Sequence, residues 1–184
     1  DGKYYNEARF LRAYYYFLIA QSFGDVPLRT SAVKTPEEVY CKATPQFDVL
    51  TWAEAEMEAC LELADEDIAV QPSRVTKTTM QGILARVNLF LAGASVQGGD
   101  KTKFLTNARD FANEVILSTK HDLNQDYSQV FINMFQNKYD TEYHESMWEV
   151  EFYGDRSSAE FWSNGRIGDL LGLQSGGSTS TEFD

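Results

Sequence analysis

The chain has 184 residues, 43% hydrophobic and 14% aromatic, enough to bury a substantial core within one domain or a large part of one. A formal net charge of −12 and a pI near 4.6 argue against nucleic acid as a partner, because phosphate neutralisation needs clustered Lys and Arg. Lys101 and Lys103 form only an isolated pair on an acidic background. Cys41 and Cys60 show no Cys-x-x-Cys spacing, which excludes a disulfide-rich scaffold and the usual zinc frameworks. They read as two buried thiols rather than as one disulfide.

The first element is a helix over residues 5–23, with Phe10, Ala13, Tyr14, Phe17 and Gln21 on one face and Leu11 and Leu18 widening the stripe. Its longest apolar run, residues 13–20, is far short of the roughly 20 residues that a membrane-spanning helix needs. Tyr14, Tyr15 and Tyr16 are consecutive, so at about 100° per residue they fan over roughly 200° of arc. They cannot present one platform to a ligand, and most of them must pack. Gly24 is the candidate C-cap, and Pro27 prevents continuation.

Residues 29–35 read as a loop, and Pro36-Glu37-Glu38 as the start of a short helix. Pro45 opens a second long helix to about residue 64, with Leu50, Ala53, Met57, Cys60 and Leu61 as its seam and Glu54, Glu56, Glu58 and Glu62 beside it. Trp52 lies off that seam and must meet another element or solvent. Asp65-Glu66-Asp67 reads as a solvated turn. The third helix, 76–96, repeats Met80, Ile83, Leu84, Val87, Phe90, Leu91 and Ala94 at three- and four-residue steps. Gly98-Gly99-Asp100 breaks it before a fourth helix, 102–118, carrying Phe104, Ala108, Phe111, Ala112 and Val115. Two antiparallel helices joined by a Gly-rich turn form a hairpin, and Ala85, Ala92, Ala94, Ala108 and Ala112 permit close approach. The pair resembles one tetratricopeptide-type unit, without the full repeat signature. Residues 128–135 suggest a short helix, and 146–152 alternate as a short strand with Trp148 toward the core. Residues 154–184 are rich in Gly and Ser and read as loop, with a helical turn near 167–173.

Three blocks together carry a family resemblance: "ARFLRAYYYFLIAQSFGDVPL", then "RVTKTTMQGILARVNLFLAG", then "ARDFANEVI" followed by "ESMWEVEF". In this order they resemble the SusD/RagB family of outer-membrane nutrient-binding lipoproteins. The resemblance implies a mainly α fold of tetratricopeptide-like helical hairpins. With the short strand and the irregular Gly/Ser-rich C-terminal loops, the expected division is a helical core over 1–153 and, over 154–184, the loop-rich start of a further C-terminal region. It also implies a glycan-binding protein on the outer face of the outer membrane, held by an N-terminal lipid. Such a protein captures oligosaccharides or polysaccharides and passes them to a SusC-like TonB-dependent transporter. The lipidated Cys of such a protein would lie upstream of Asp1, so the chain reads as a segment of a longer one. The competing reading is a helical-repeat module that docks a protein partner and binds no sugar.

No catalytic signature is present: neither a Gly-x-Ser-x-Gly elbow nor His-Glu-x-x-His occurs, and no cofactor is implied. His121 and His144 read as surface residues. Ser31 and Lys34 match Ser-x-x-Lys by chance, without the partner motifs. Glu149 and Glu151 could share a strand face as a glycosidase pair, but among 28 acidic residues such pairs are commonplace. Asp122-x-Asn124-x-Asp126 copies the start of a calcium loop, yet Tyr127 replaces the required glycine and Asn133 the bidentate Glu. No metal site is expected. A sugar site needs flat aromatic faces beside hydrogen-bonding groups. The stretch "EFYGDRSSAEFWSNGR" offers these, with Tyr153, Trp162, Asn164 and Arg166 as the candidate ligand-binding residues and Phe161 as an anchor for the loop.

Overall fold

The computed structural model describes residues 2–64, 72–136 and 138–150. The compact unit, Asp1–Glu149, holds two helical hairpins. Helix α1 (Gly2–Phe23) packs on α2 (Gln46–Ala59), α3 (Lys77–Ala92) packs on α4 (Lys101–Ser118), and α2 meets α3 between the pairs. A short helix, α5 (Tyr127–Phe135), follows. The mainly α architecture of paired helices agrees with the sequence reading. No helix among the described residues is long and apolar enough to cross a membrane.

The core forms where the helical seams meet. Phe10, Ala13, Phe17 and Ala20 of α1 are wholly buried against Val49, Leu50, Ala53 and Met57 of α2 and Met80, Leu84, Val87 and Leu91 of α3. Each large side chain so buried contributes roughly 1.5–3 kcal/mol. Phe17 meets Phe90 edge-on at 5.7 Å between ring centroids. The three tyrosines fan out around this seam. Tyr14 turns to one side, 5.2 Å from the Trp148 ring, while Tyr16 turns to the other, 5.3 Å from Trp52. The Tyr16 hydroxyl donates to the Arg29 carbonyl at 3.0 Å and accepts from the Arg29 N–H at 2.9 Å. Tyr15, between them in sequence, faces solvent. The three rings therefore share no face.

Helix α1 ends as expected: Gly24, at φ +77°, donates its N–H to the Ala20 carbonyl. Two short strands absent from the sequence reading follow, β1 (Val26–Pro27) and β2 (Ala43–Thr44), paired antiparallel with Val26 opposite Thr44. Two residues carry too little alternation to register as a pattern. Pro36–Val39 forms a single 3₁₀ turn, and the last turn of the second helix, Cys60–Leu63, is also 3₁₀. Cys60 is buried, but Cys41 is exposed, which corrects the expectation of two buried thiols; neither is in a disulfide. Burial raises the Cys60 thiol above its usual range. Residues 65–67 lie outside the described residues.

The hairpin turn shows why α3 ends before residue 96. Its C-cap, Gly93, leaves carbonyls without helical partners, and the Lys101 ammonium fills that gap. It donates to the carbonyls of Leu91 at 2.7 Å, Gly93 at 3.3 Å and Val96 at 2.7 Å. Consequently Ala94 is exposed, off the expected seam, while Val96 turns back into the core. Asp100 caps α4, accepting from Thr102 N at 3.0 Å and Lys103 N at 3.2 Å. On α4 itself Phe104 is buried, whereas Ala112 is exposed, since α4 is an outer helix with one covered side.

A strap over 138–149 crosses the start of α3. Residues 146–150, expected to begin a strand, enter no ladder among the described residues. Their hydrogen bonds run to a loop and a helix terminus instead: Glu149 N to the Pro72 carbonyl at 2.9 Å, Thr79 Oγ1 to the Met147 carbonyl at 2.9 Å, Trp148 Nε1 to the Ser73 carbonyl at 3.3 Å. Trp148 packs on Phe10 and Tyr14, the inward role expected of it. His121, read as a surface residue, is half-buried with both ring nitrogens engaged. Its Nδ1 lies 2.6 Å from the His144 carbonyl, which can only accept, so Nδ1 carries the proton. Nε2, 2.8 Å from Thr78 Oγ1, then accepts from that hydroxyl in the neutral ring. Glu7 ties α1 to the same region, accepting from Arg74 Nε and from Val75 N at 3.1 and 3.2 Å.

Between α1 and α2 the join is ionic. Arg9 donates to Glu56 through Nε and Nη2, both at 2.9 Å, and Arg12 Nη2 adds a third bond at 3.0 Å. The Arg9 hydrogen bonds, with Arg12 beside them, hold the Glu56 carboxyl below its usual range.

Two outcomes test this account. Gly99 sits at φ +71°, and a Cβ there would lie 2.6 Å from the Phe104 ring and 2.7 Å from Phe47. Gly99→Ala should lower stability by about 2–4 kcal/mol, whereas Gly2→Ala, with nothing near its Cβ, should be close to neutral in urea denaturation. Because the native Glu56 carboxyl titrates below its unfolded value, its contribution is full above the unfolded value, near pH 4, and disappears as pH falls through the native one. The gap between wild type and Glu56→Gln in urea midpoints should therefore be open at pH 7 and close under acid.

Candidate ligand-binding surface

The turning of α1 that buries Phe10 and Phe17 sends Tyr5, Ala8, Arg9 and Arg12 outward together, at the i, i+3, i+4, i+7 spacing of one helix face. These four residues line an open groove of about 200 Å³. Its polar side is the Arg9–Glu56–Arg12 cluster. Both Glu56 oxygens are taken by guanidinium donors, so one carboxylate faces two cations and a net positive charge remains. Arg9 spends its Nε and Nη2 on Glu56, leaving Nη1 for another acceptor. Arg12 spends only Nη2, and its Nε and Nη1 donate to no other group among the described residues. The Arg12 guanidinium also lies 5.5 Å above the Trp52 ring, whose edge Tyr16 closes. Tyr5, at 70% exposure, leaves its ring available at the groove's rim. The groove thus offers directed N–H donors beside an aromatic face, and no nucleophile or acid–base pair.

The loop residues singled out in the sequence, Tyr153, Trp162, Asn164 and Arg166, lie outside the described residues, as do Glu151 and all of 154–184. Glu149 is exposed. Asp122, Asn124 and Asp126 serve local backbone: Asp122 accepts from Leu123 N, Asn124 from Asp126 N, and Asp126 caps α5 through Ser128 N. Ser31 and Lys34 are exposed in their loop, where the Lys34 N–H donates to Glu38. The half-buried Glu54 carboxyl is pushed up by burial and by the Glu58 charge, among Asn88, Asn107 and Lys103. It faces interhelical polar groups, not the groove. Sequence reasoning missed the groove because Arg9 and Arg12 look like ordinary solvated charges until Glu56, from another helix, fixes them. The signal available was their spacing in "EARFLRA" opposite the Phe10–Phe17 seam.

A second surface is apolar. Helix α5 buries none of its residues, and Tyr127, Phe131, Met134 and Phe135 follow helical spacing along its exposed side. Tyr127 and Phe131 stack edge to face at 5.2 Å, so the stripe is ordered by its own contacts.

Comparison with known proteins bears on the fold. Residues 2–89 match the SusD-like family described as "Starch-binding associating with outer membrane". No curated protein matches the chain. Among solved structures, a SusD homolog from Bacteroides thetaiotaomicron shares 24% identity and a TM-score of 0.69 over 84% of this chain and 29% of its own. Surface glycan-binding protein A from Bacteroides uniformis shares 24% identity with a TM-score of 0.61, over 81% of this chain and 30% of that one. A structure with xylogluco-oligosaccharide shares 26% identity with a TM-score of 0.58, over 68% and 25% of the two chains. The chain therefore spans about a quarter to a third of the length of these structures. Over residues 2–89 the chain thus matches the SusD-like family, and its helical fold is one that these structures share.

Proposed function

We propose that this chain is part of a glycan-binding protein that captures oligosaccharides or polysaccharides at the outer-membrane surface and cleaves none of them. The observation that carries this reading is the similarity to a structure solved with xylogluco-oligosaccharide, on the fold of the matched SusD-like family. In this reading the protein is held by an N-terminal lipid on the cell-surface face and hands its ligand to a SusC-like TonB-dependent transporter. Stacking on aromatic faces and hydrogen bonds to hydroxyls supply the binding, and release needs no bond to break. We assign the loop with Tyr153, Trp162, Asn164 and Arg166 to that ligand: rings for the sugar faces, amide and guanidinium for the hydroxyls. The loop opens the region 154–184, which we take as the start of a further C-terminal part beyond the helical core. The exposed apolar stripe of α5 favours a second reading, a module that docks a protein partner through its helices and binds no sugar.

Affinity electrophoresis of the full-length protein through a panel of polysaccharide gels separates the two. Retardation by at least one glycan, weakened about fivefold or more in Trp162→Ala and Tyr153→Ala, is the expected result. Migration unchanged by every glycan, with binding to the transporter retained, would establish docking instead. Release of reducing sugar would return catalysis to consideration.

A further inference from the structure

We propose that the Tyr5–Ala8–Arg9–Arg12 groove is a subsite for an acidic saccharide, binding the carboxylate of a hexuronate unit. This rests on the glycan-capture reading and names a class of sugar within it. Three observations carry it. The first is charge: on a chain of net charge −12, this groove holds two guanidiniums against one carboxylate. The second is geometry. Glu56 already saturates the Nε/Nη2 edge of Arg9 and binds only Nη2 of Arg12, so the Nε and Nη1 protons of Arg12 remain as separate charged donors, each able to meet one oxygen of a carboxylate. Contact with the Trp52 face keeps that guanidinium from sweeping freely through solvent.

The third observation separates a sugar from a free anion. Tyr5 is exposed at the rim of the same groove, and an aromatic face beside the donors gives a pyranose C–H face something to pack on. A volume of about 200 Å³ suits one unit of a polymer better than a whole oligosaccharide. The repulsion from the acidic chain as a whole is screened over roughly 8 Å at physiological ionic strength, so the local cationic pair decides the sign at the groove. Glu56 is no competitor for the ligand's place, because its own charge is what orders Arg9 and Arg12.

The test is amide-shift mapping by NMR on the full 184-residue chain, titrated with digalacturonate, with its methyl ester, and with acetate at matched ionic strength. Saturable shifts at Tyr5, Ala8, Arg9 and Arg12 with digalacturonate are expected. The neutral ester and acetate should each bind about tenfold or more weakly. Arg12→Gln should abolish the shifts, and Tyr5→Ala, at an exposed position that leaves the core intact, should weaken digalacturonate while leaving acetate unchanged. Equal binding of the ester overturns the charge argument, and equal binding of acetate reduces the groove to a simple anion site and overturns the saccharide. A glycan that retards the full-length protein without moving these amides overturns this subsite while leaving glycan capture standing. Digalacturonate shifts in a protein retarded by no polysaccharide would instead leave the groove and remove the capture reading.

Discussion

The whole arrangement depends on how α1 is turned about its axis. Phe10 and Phe17, with Ala13 and Ala20 as the small residues between them, are wholly buried and can face only one way. A rotation by one residue, about 100°, would replace this seam with Leu11, Tyr14 and Leu18 and expose both phenylalanines, at a cost of several kcal/mol. Every other side chain on α1 inherits its place from that choice. Tyr14 falls toward Trp148, Tyr16 toward Trp52, and Tyr15 toward solvent. Arg9 and Arg12 come down beside Glu56 for the same reason. The core packing of one helix therefore sets both its connection to the strap and the polar groove on its flank.

Polar groups then fix what hydrophobic burial leaves loose. Burial favours helix against helix without choosing where a helix stops, and here the stopping points are set by single side chains. Lys101 closes α3 through three carbonyls, Asp100 opens α4, and Thr76 opens α3 by accepting from Thr79 N. The His121 ring does comparable work at longer range, joining Thr78 to the strap at His144. Such bonds each contribute about 1 kcal/mol, somewhat more where one partner is charged. Their importance here is directional, since they determine which groups end up adjacent.

The two exposed surfaces differ in kind. The α1 groove presents oriented donors and a ring, the chemistry of a polar ligand. The α5 stripe presents mainly apolar side chains, Tyr127, Phe131, Met134 and Phe135, the chemistry of a protein face. The helical unit carries the two on different helices.

The sequence by itself determined the helices, because their seams repeat at helical steps and their ends carry Gly24, Pro45 and the Gly98-Gly99-Asp100 break. It also determined that three adjacent tyrosines cannot share a face, since that follows from helical geometry alone. Trp148 was legible as an inward residue from the alternation around it, although the strand inferred from the same alternation is a strap bonded to the start of α3. Alternation describes which side chains turn inward; it says nothing about where the backbone finds its hydrogen bonds. Only the tertiary structure decided that α3 stops at Ala92, that Ala94 is exposed and that His121 is an internal link, because each depends on a group distant in sequence. The groove is of the same type. Arg9 and Arg12 become an ordered cluster only when Glu56 is brought against them, and no local pattern records a contact that packing between two helices creates.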